Sequence, residues 1–171
     1  MRIYIPVTLA MLRQLVTDGS LRPVSGTAFA VTPKLREAYA EGDDDELGEV
    51  ALREAALASL RLLAGAAEDS GQSGDDLPPR RAVLVADVGD VTLRPDLDDA
   101  VVRIGAPVTT DDVVAAFVDN AAAEGQVKAA IAVIDAADLG DEDAELTVGD
   151  AQDHDLAWYA VQELPFLLEL L

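Results

Sequence analysis

The sequence predicts an α/β fold, a single-domain sandwich with a sheet of about five strands. Two patterns and the chain length lead to this prediction. Apolar, β-branched runs alternate with segments of helical periodicity, and turn residues separate them. The 171 residues suffice to bury one core. Half of the residues are hydrophobic but only 4% are aromatic, so we expect aliphatic side chains to fill the core of one domain over 1–171.

The first strand and helix follow from local signals. The apolar run after Arg2 should end as a strand at Pro6, because proline has no N–H to donate to a neighbouring strand. Thr8 then offers its hydroxyl as a helix N-cap, and Gly19 offers the left-handed conformation that ends a helix. The residues between them that share one helical face are apolar: Leu9, Leu12, Leu15 and Val16.

A strand, two helices and a further strand are expected next. After a strand at "TAFAVT", Thr32 and Pro33 form a cap and first-turn start for a short helix. A long helix over 46–64 carries an apolar stripe wide enough to be buried on more than one side. The polar stretch 65–80 is expected to be a flexible insert, and "RAVLVADVG" at 81–89 a buried strand.

Two short segments of the chain are nearly identical. "RIYIPVT" at 2–8 and "RIGAPVT" at 103–109 share five of seven residues, and "AFAV" at 28–31 later faces "AIAV" at 130–133. Chance in a biased composition is one explanation. The other is an internal duplication of a strand-helix-strand-helix unit, with halves at about 1–64 and 100–171. A duplication predicts that Pro6 and Pro107 end two strands at corresponding places.

The duplication guides the reading of the second half. It predicts a strand at about 100–105 and then a helix that starts at "TTDD", 109–112, where a threonine cap and first-turn acids favour helix initiation. The helix would carry the apolar residues of 113–118. Periodicity alone leaves "KAAIAVIDAAD" at 128–138 open between strand and helix, and the repeat favours a strand.

The C-terminal part reads as a loop and a helix. The stretch "LGDEDAEL" at 139–146 is expected to be an acidic loop. A last helix should begin near Asp150 or Asp153 and carry "LAWYAVQEL", with Pro165 kinking or ending it.

Composition excludes several classes of site and disfavours several partners. The chain has no cysteine, which removes disulfides, thiolate metal sites and cysteine nucleophiles. Its net charge of −21 repels nucleic acid and anionic membranes, although residues 1–36 hold five basic residues and one acid. We find neither a signal-peptide pattern nor eighteen consecutive apolar residues, so a cytoplasmic location is expected.

The single histidine is the weak candidate for catalysis. His154 lies between Asp153 and Asp155, and a metal-assisted hydrolase could use the three with Asp150 and a bound Mg²⁺ or Mn²⁺. The alternative is a solvated histidine in a helical first turn among capping aspartates. One histidine without cysteine cannot form a standard structural zinc site, so no metal or cofactor is expected.

Motifs for nucleotide and hydrolase chemistry are missing from the sequence. We find no phosphate-binding glycine-lysine loop, no GxGxxG after a strand and no GxSxG elbow. These observations favour a non-enzymatic protein-interaction or regulatory module, whose partner is another protein, over an enzyme.

The repeated segments also suggest an anion site. Arg2 and Arg103 occupy equivalent places in the two segments, and two related guanidinium groups can bind a carboxylate or phosphate between them. A small anion-binding protein is therefore a further alternative. Pairing of each arginine with a surface acid is the simpler explanation.

Four stretches resemble a known family: "MRIYIPVT", "GTAFAVTPKLREAYAEGD", "ALREAALASLRLL" and "DHDLAWYAVQEL". They are similar to an uncharacterised family of actinobacterial conserved hypothetical proteins, known as a domain of unknown function. The resemblance covers most of the chain apart from 65–80. It implies an actinobacterial, cytoplasmic origin, and it assigns no activity, cofactor or site residue.

Overall fold

The structure, a computed structural model, describes residues 1–39, 41–70 and 77–171, and these form a mixed α/β fold around one large antiparallel sheet. A two-stranded ladder, β2 (Ser20–Leu21) with β7 (Val108–Thr109), lies beside it. The strands of the large sheet, in order across it, are β5 (Val91–Leu93), β6 (Val101–Ile104), β3 (Thr27–Phe29), β1 (Arg2–Val7), β4 (Ala82–Asp87), β8 (Val113–Val118) and β9 (Ala157–Ala160).

Helices cover both faces of this sheet. Helices α1 and α6 pack on one face, and α3 crosses the other face over β1, β3 and β4. Helices α4 and α5 pack against each other and against α3. Across the described ranges, none of the helices has both the length and the apolar run that crossing a bilayer requires. The helices are α1 (Leu9–Asp18), α2 (Pro33–Ala38), α3 (Asp44–Ser70), α4 (Glu124–Asp138), α5 (Glu142–Gln152) and α6 (Leu164–Glu169).

The core is divided by the sheet, as strand alternation requires. Ile3 and Ile5 of β1 belong to the cluster beneath α1 and α6, while Tyr4 packs with the cluster beneath α3. Strand β4 is buried along five consecutive residues because helices lie on both of its faces. Ser59 of α3 joins helix to sheet, since its hydroxyl donates to the Val7 carbonyl (2.7 Å) and accepts the Ala82 N–H (3.0 Å).

The predicted helix starts in the first half are confirmed. The Thr8 hydroxyl accepts the Met11 N–H at 3.2 Å, and Gly19 ends α1 with φ at 77°. The Thr32 hydroxyl accepts the Leu35 N–H at 3.1 Å, with Pro33 in the first turn of α2. Helix α3 covers the predicted 46–64 and continues to Ser70, so the expected insert begins as helix; residues 71–76 of it lie outside the described residues.

The expectation of about five strands was too low, because the sequence patterns of β8 and β9 predict helices and β5 is not predicted at all. Residues 113–118 form β8, paired with β4 on one side and β9 on the other. Every residue of its sequence "VVAAFV" is apolar, including the exposed Val114, so the strand carries no period-2 signal. Residues 157–160 form β9, where a helix had been expected, and Pro165 lies in the first turn of α6 instead of ending a helix.

The strand expected at 128–138 is wrong, since these residues lie in α4. Its buried residues Val127, Ala130 and Ile134 are spaced three and four apart, which is helical spacing. The acidic loop expected at 139–146 is wrong from Glu142 onward, because α5 begins there. Asp141 caps α5 by accepting the Ala144 N–H at 2.9 Å, and the acids occupy the first turn, where the helix dipole favours them.

The similar segments take different structures, so the structure does not show an internal duplication. Pro6 lies within β1 opposite Val83, whereas Pro107 lies outside the strands, before β7. "AFAV" contributes to β3 and "AIAV" lies inside α4. Thr109 precedes only one 3₁₀ turn, in which the Asp112 carboxylate accepts the Thr109 N–H at 3.0 Å, before the chain enters β8.

Candidate functional site

A cavity of about 590 Å³ lies between α3 and the segment that connects α5 to β9. Helix α3 contributes residues between Glu46 and Ala56 to one wall. Arg81, Gln152 and the segment 154–156 form the other wall. The cavity brings together charged groups from parts of the chain that are a hundred residues apart in sequence.

A second cavity of about 230 Å³ adjoins the first along α3. Glu49 and Leu52 line both cavities. The sheet side of the second cavity has apolar side chains on neighbouring strands, Val85, Phe117 and Trp158, and also Arg2 and Tyr4 of β1. We call the two adjoining cavities the α3 groove.

Trp158 is the most conspicuous side chain of the α3 groove. It is the single tryptophan of the chain, lies on β9 opposite Phe117, and is 58% exposed. Its neighbour Tyr159 packs against the cluster on the other face of the sheet, so alternation places Trp158 on the α3 side. An aromatic ring of this size, left this exposed beside an apolar surface, is typical of binding sites.

Carboxylates form the rim of the α3 groove. Asp44 is paired with Arg36. Within the part of the chain that the structure describes, the other rim carboxylates form no ion pair: Asp45, Glu46, Glu49 and Asp155. Arg53 lines the larger cavity, and Arg2, which pairs with Asp87, lines the second. The α3 groove thus combines apolar side chains with a rim in which carboxylates outnumber basic residues.

Tyr4 is packed between sheet and helix at the second cavity. Loss of hydration raises the pKa of its hydroxyl, an effect that the charge of Arg2 partly offsets. A Cβ at Gly48 would meet the Tyr4 hydroxyl at 2.9 Å. Glycine at this place in α3 therefore lets the tyrosine approach the helix closely.

A buried ion pair anchors the wall of the larger cavity. The Arg81 guanidinium donates from Nε to Asp119 Oδ2 (2.9 Å) and from Nη2 to Asp119 Oδ1 (2.8 Å). It also donates to Gln152 Oε1 (2.8 Å) and to the His154 carbonyl (2.9 Å). The arginine thereby fixes the segment after α5. Sequence reasoning missed this pair, whose signal was an Arg directly before and an Asp directly after apolar strands.

A model of a protein family matches residues 1–168. The chain belongs to the family of unknown function DUF6912. The predicted resemblance to a domain of unknown function is therefore confirmed, while an actinobacterial origin is not shown by this match. Neither curated proteins nor solved structures gave a match to the chain. The family therefore assigns no role to the groove residues of this DUF6912 member.

The structure brings only part of the predicted histidine site to the groove. His154 and Asp155 line the larger cavity, whereas Asp153 is exposed at the end of α5 and does not line it. His154 Nε2 contacts the side-chain oxygen of Gln126. The histidine lies between α5 and β9, not in a helical first turn. Among the described residues, no group of three or more histidine, aspartate and glutamate side chains is arranged to hold a metal ion.

The structure does not bring Arg2 and Arg103 together in this DUF6912 chain. Arg2 pairs with Asp87 across the strands at 3.2 Å. Arg103 faces Thr27 in β3, which places it four residues along the sheet and two strands away from Arg2, roughly 16 Å between Cα atoms. Arg2 is already paired with Asp87, and an anion site between the two arginines stays a prediction.

Proposed function

We propose that this chain is a non-enzymatic protein-binding module and that the α3 groove binds a basic segment of a partner protein. One observation carries the proposal: the exposed Trp158 lies among apolar side chains beneath carboxylates that outnumber the basic residues of the groove. A cytoplasmic location, and exclusion of nucleic acid as a partner, are part of the same proposal.

The floor of the groove supplies the driving force for binding. Covering Trp158 and Phe117 removes apolar surface from water, at about 25 cal/mol for each Å² buried. Tryptophan and tyrosine are the side chains most often found at the centres of protein interfaces. A partner that places aliphatic or aromatic groups on this floor therefore gains affinity.

The rim of the groove selects the charge of the partner. Asp45, Glu49 and Asp155 attract lysine and arginine, and an arginine can also stack on the face of Trp158. The net charge of −21 adds long-range attraction for a basic partner and repulsion for an anionic one.

The polar groups of the larger cavity support binding rather than catalysis. Arg81 uses its donors on Asp119, Gln152 and the His154 carbonyl, which leaves it a structural role. The His154 ring is engaged with Gln126. The side chains best suited to chemistry are thus committed to holding the wall of the cavity.

The proposal is tested by selecting a random dodecapeptide library against the immobilised protein and titrating the enriched peptides into it. We expect the enriched peptides to be rich in lysine or arginine and to shift the emission of Trp158 to shorter wavelength as they cover it. Raising the ionic strength from about 0.01 M to 0.15 M should weaken binding, because the Debye length falls from about 30 Å to 8 Å. Enrichment of peptides without basic residues, or no enrichment, overturns the proposal.

A matched pair of variants locates the binding surface. The double variant Asp45→Asn with Glu49→Gln removes two rim charges and should weaken the binding of the enriched peptides about two- to tenfold. Glu142→Gln with Glu145→Gln removes two exposed charges from α5, away from the groove, and should leave the affinity unchanged. Equal weakening by both pairs would show attraction by net charge alone.

A further inference from the structure

We propose further, resting on the function above, that the basic segment binds as an extended strand added to the open edge of β9. Strand β9 is the last strand of the large sheet on the side of the α3 groove. An edge strand presents unpaired backbone groups to any extended chain that comes beside it.

The hydrogen-bond pattern shows which residues of β9 face the open edge. In an antiparallel ladder, consecutive residues direct their N–H and C=O groups to opposite sides. The Asp119 N–H donates to the Arg81 carbonyl at 3.1 Å. The backbone N–H and C=O groups of Asp119 and Phe117 therefore point to β4, and those of Ala116 and Val118 point to β9. Their partners on β9 are Tyr159 and Ala157, so the backbone N–H and C=O of Trp158 point to the open edge.

A second contact supports this alternation independently. The Ala160 N–H donates to the side chain of Glu163 at 3.2 Å, which places it on the side away from β8. Trp158 is two residues before Ala160, so its backbone N–H points to the same side of the strand. Glu163 therefore closes one end of the edge, and the backbone N–H and C=O of Trp158 remain available to an added strand.

The side chains of an added strand would lie over the α3 groove. Because Trp158 projects to the α3 side, alternate residues of a neighbouring strand project to that side as well. They would lie beside the tryptophan ring and close to Asp155 and the carboxylates of α3. One binding mode thus uses the open backbone, the apolar floor and the acidic rim together.

Charge decides between a partner strand and a second copy of this chain. Pairing two copies through β9 would bring the acidic residues around this edge together: Asp153, Asp155 and Glu163 of each copy. Like charges across an interface are unfavourable, whereas a strand with alternating lysine or arginine is attracted. The opposite edge of the sheet, β5, is one residue shorter and is not adjacent to the groove.

Amide hydrogen exchange of the full chain provides the direct test. In the free protein we expect slow exchange at the Tyr159 N–H, which bonds to β8, and fast exchange at the Trp158 N–H. Addition of an enriched basic peptide should slow the exchange of the Trp158 N–H at least about tenfold, because this N–H gains a hydrogen bond. A shift in Trp158 emission with unchanged exchange would overturn strand addition and leave the proposed function standing.

Two N-methylated forms of one enriched peptide test the same geometry from the partner side. Methyl groups are placed on alternate backbone nitrogens in one form and on the remaining nitrogens in the other. Strand addition predicts that one form binds at least about tenfold more weakly than the other, because an added strand uses only every second N–H. Equal affinity of the two forms contradicts it. Self-association of the chain alone, with slow Trp158 exchange, would identify a second copy as the occupant.

Discussion

Arg81 and Asp119 form a bidentate ion pair that is almost completely buried, with 2% and 0% of their side chains exposed. Arg81 directly precedes β4 and Asp119 directly follows β8, so the pair joins the ends of two adjacent strands. The same guanidinium reaches Gln152 and the His154 carbonyl. A contact inside the sheet thereby fixes the wall of the α3 groove.

Removing the buried carboxylate should destabilise the protein strongly. Asp119→Ala leaves the Arg81 guanidinium buried without its counter-charge, and we expect a loss of about 3–5 kcal/mol in the free energy of unfolding. Urea unfolding followed by circular dichroism measures it. The double variant Arg81→Met with Asp119→Leu should lose much less free energy of unfolding, because both charges are replaced by apolar groups. A loss below about 1 kcal/mol for Asp119→Ala would contradict a buried pair.

Glu54 should make the protein more stable as the pH falls. Loss of hydration raises the pKa of Glu54, and the charge of Asp98 raises it further. The folded state therefore takes up the proton at a higher pH than the unfolded state, whose pKa is near 4.5. This contribution is gained as the pH falls through the folded pKa towards 4.5 and is absent at neutral pH. Glu54→Gln should raise stability at pH 7 and flatten this pH dependence in urea unfolding.

Asp87 should have the opposite pH dependence. The hydrogen bond from Arg2 lowers the pKa of this carboxyl below its ordinary 3.8. Its contribution is present above pH 3.8 and is lost as the pH falls through the folded pKa. Asp87→Asn should cost less than about 1 kcal/mol at pH 7, because the pair is exposed, and should reduce the loss of stability in acid. A change in stability at pH 7 of the same sign in the Glu54 and Asp87 variants would contradict these assignments.

Gly26 and Gly65 should respond oppositely to alanine. Gly26 has φ at 68°, and a Cβ there would meet the Ile104 carbonyl at 2.7 Å, so Gly26→Ala should cost about 1–3 kcal/mol. Gly65 lies inside α3 with nothing within 4 Å of an added Cβ, so Gly65→Ala should add about 0.5–1 kcal/mol. Thermal unfolding of the two variants measures both changes. A loss of stability in both variants would contradict the prediction for Gly65, because it would show that the space beside this glycine is needed.

The sequence predicted elements correctly where the signal is local. Thr8 and Gly19 bound α1, and Thr32 with Pro33 starts α2, because capping bonds join residues a few positions apart. The repeat argument failed at 128–138. There periodicity leaves strand and helix open and the repeat favours a strand, whereas the buried residues Val127, Ala130 and Ile134 have helical spacing.

The candidate site was only partly predictable. His154 and Asp155 were chosen for their chemistry, and both line the larger cavity. Trp158 was missed as a site residue, because the stretch "LAWYAVQEL" is predicted as a helix, whereas its exposure beside the groove depends on its place in β9. Arg81 was missed because its partner Asp119 is 38 residues away and strand order cannot be read from spacing.

By itself, the sequence determined the α/β class, the caps of the first helices, the central strands and the acidic charge. Each depends on composition or on contacts between near neighbours in the chain. Only the tertiary structure decided that "VVAAFV" and "AWYA" are strands. Those runs become strands through backbone bonds to neighbouring strands, and side chains without polar-apolar alternation leave no period-2 pattern in the sequence. The α3 groove likewise exists only in the tertiary structure, since strand pairing assembles its floor and packing of α3 on the sheet brings its carboxylates to the rim.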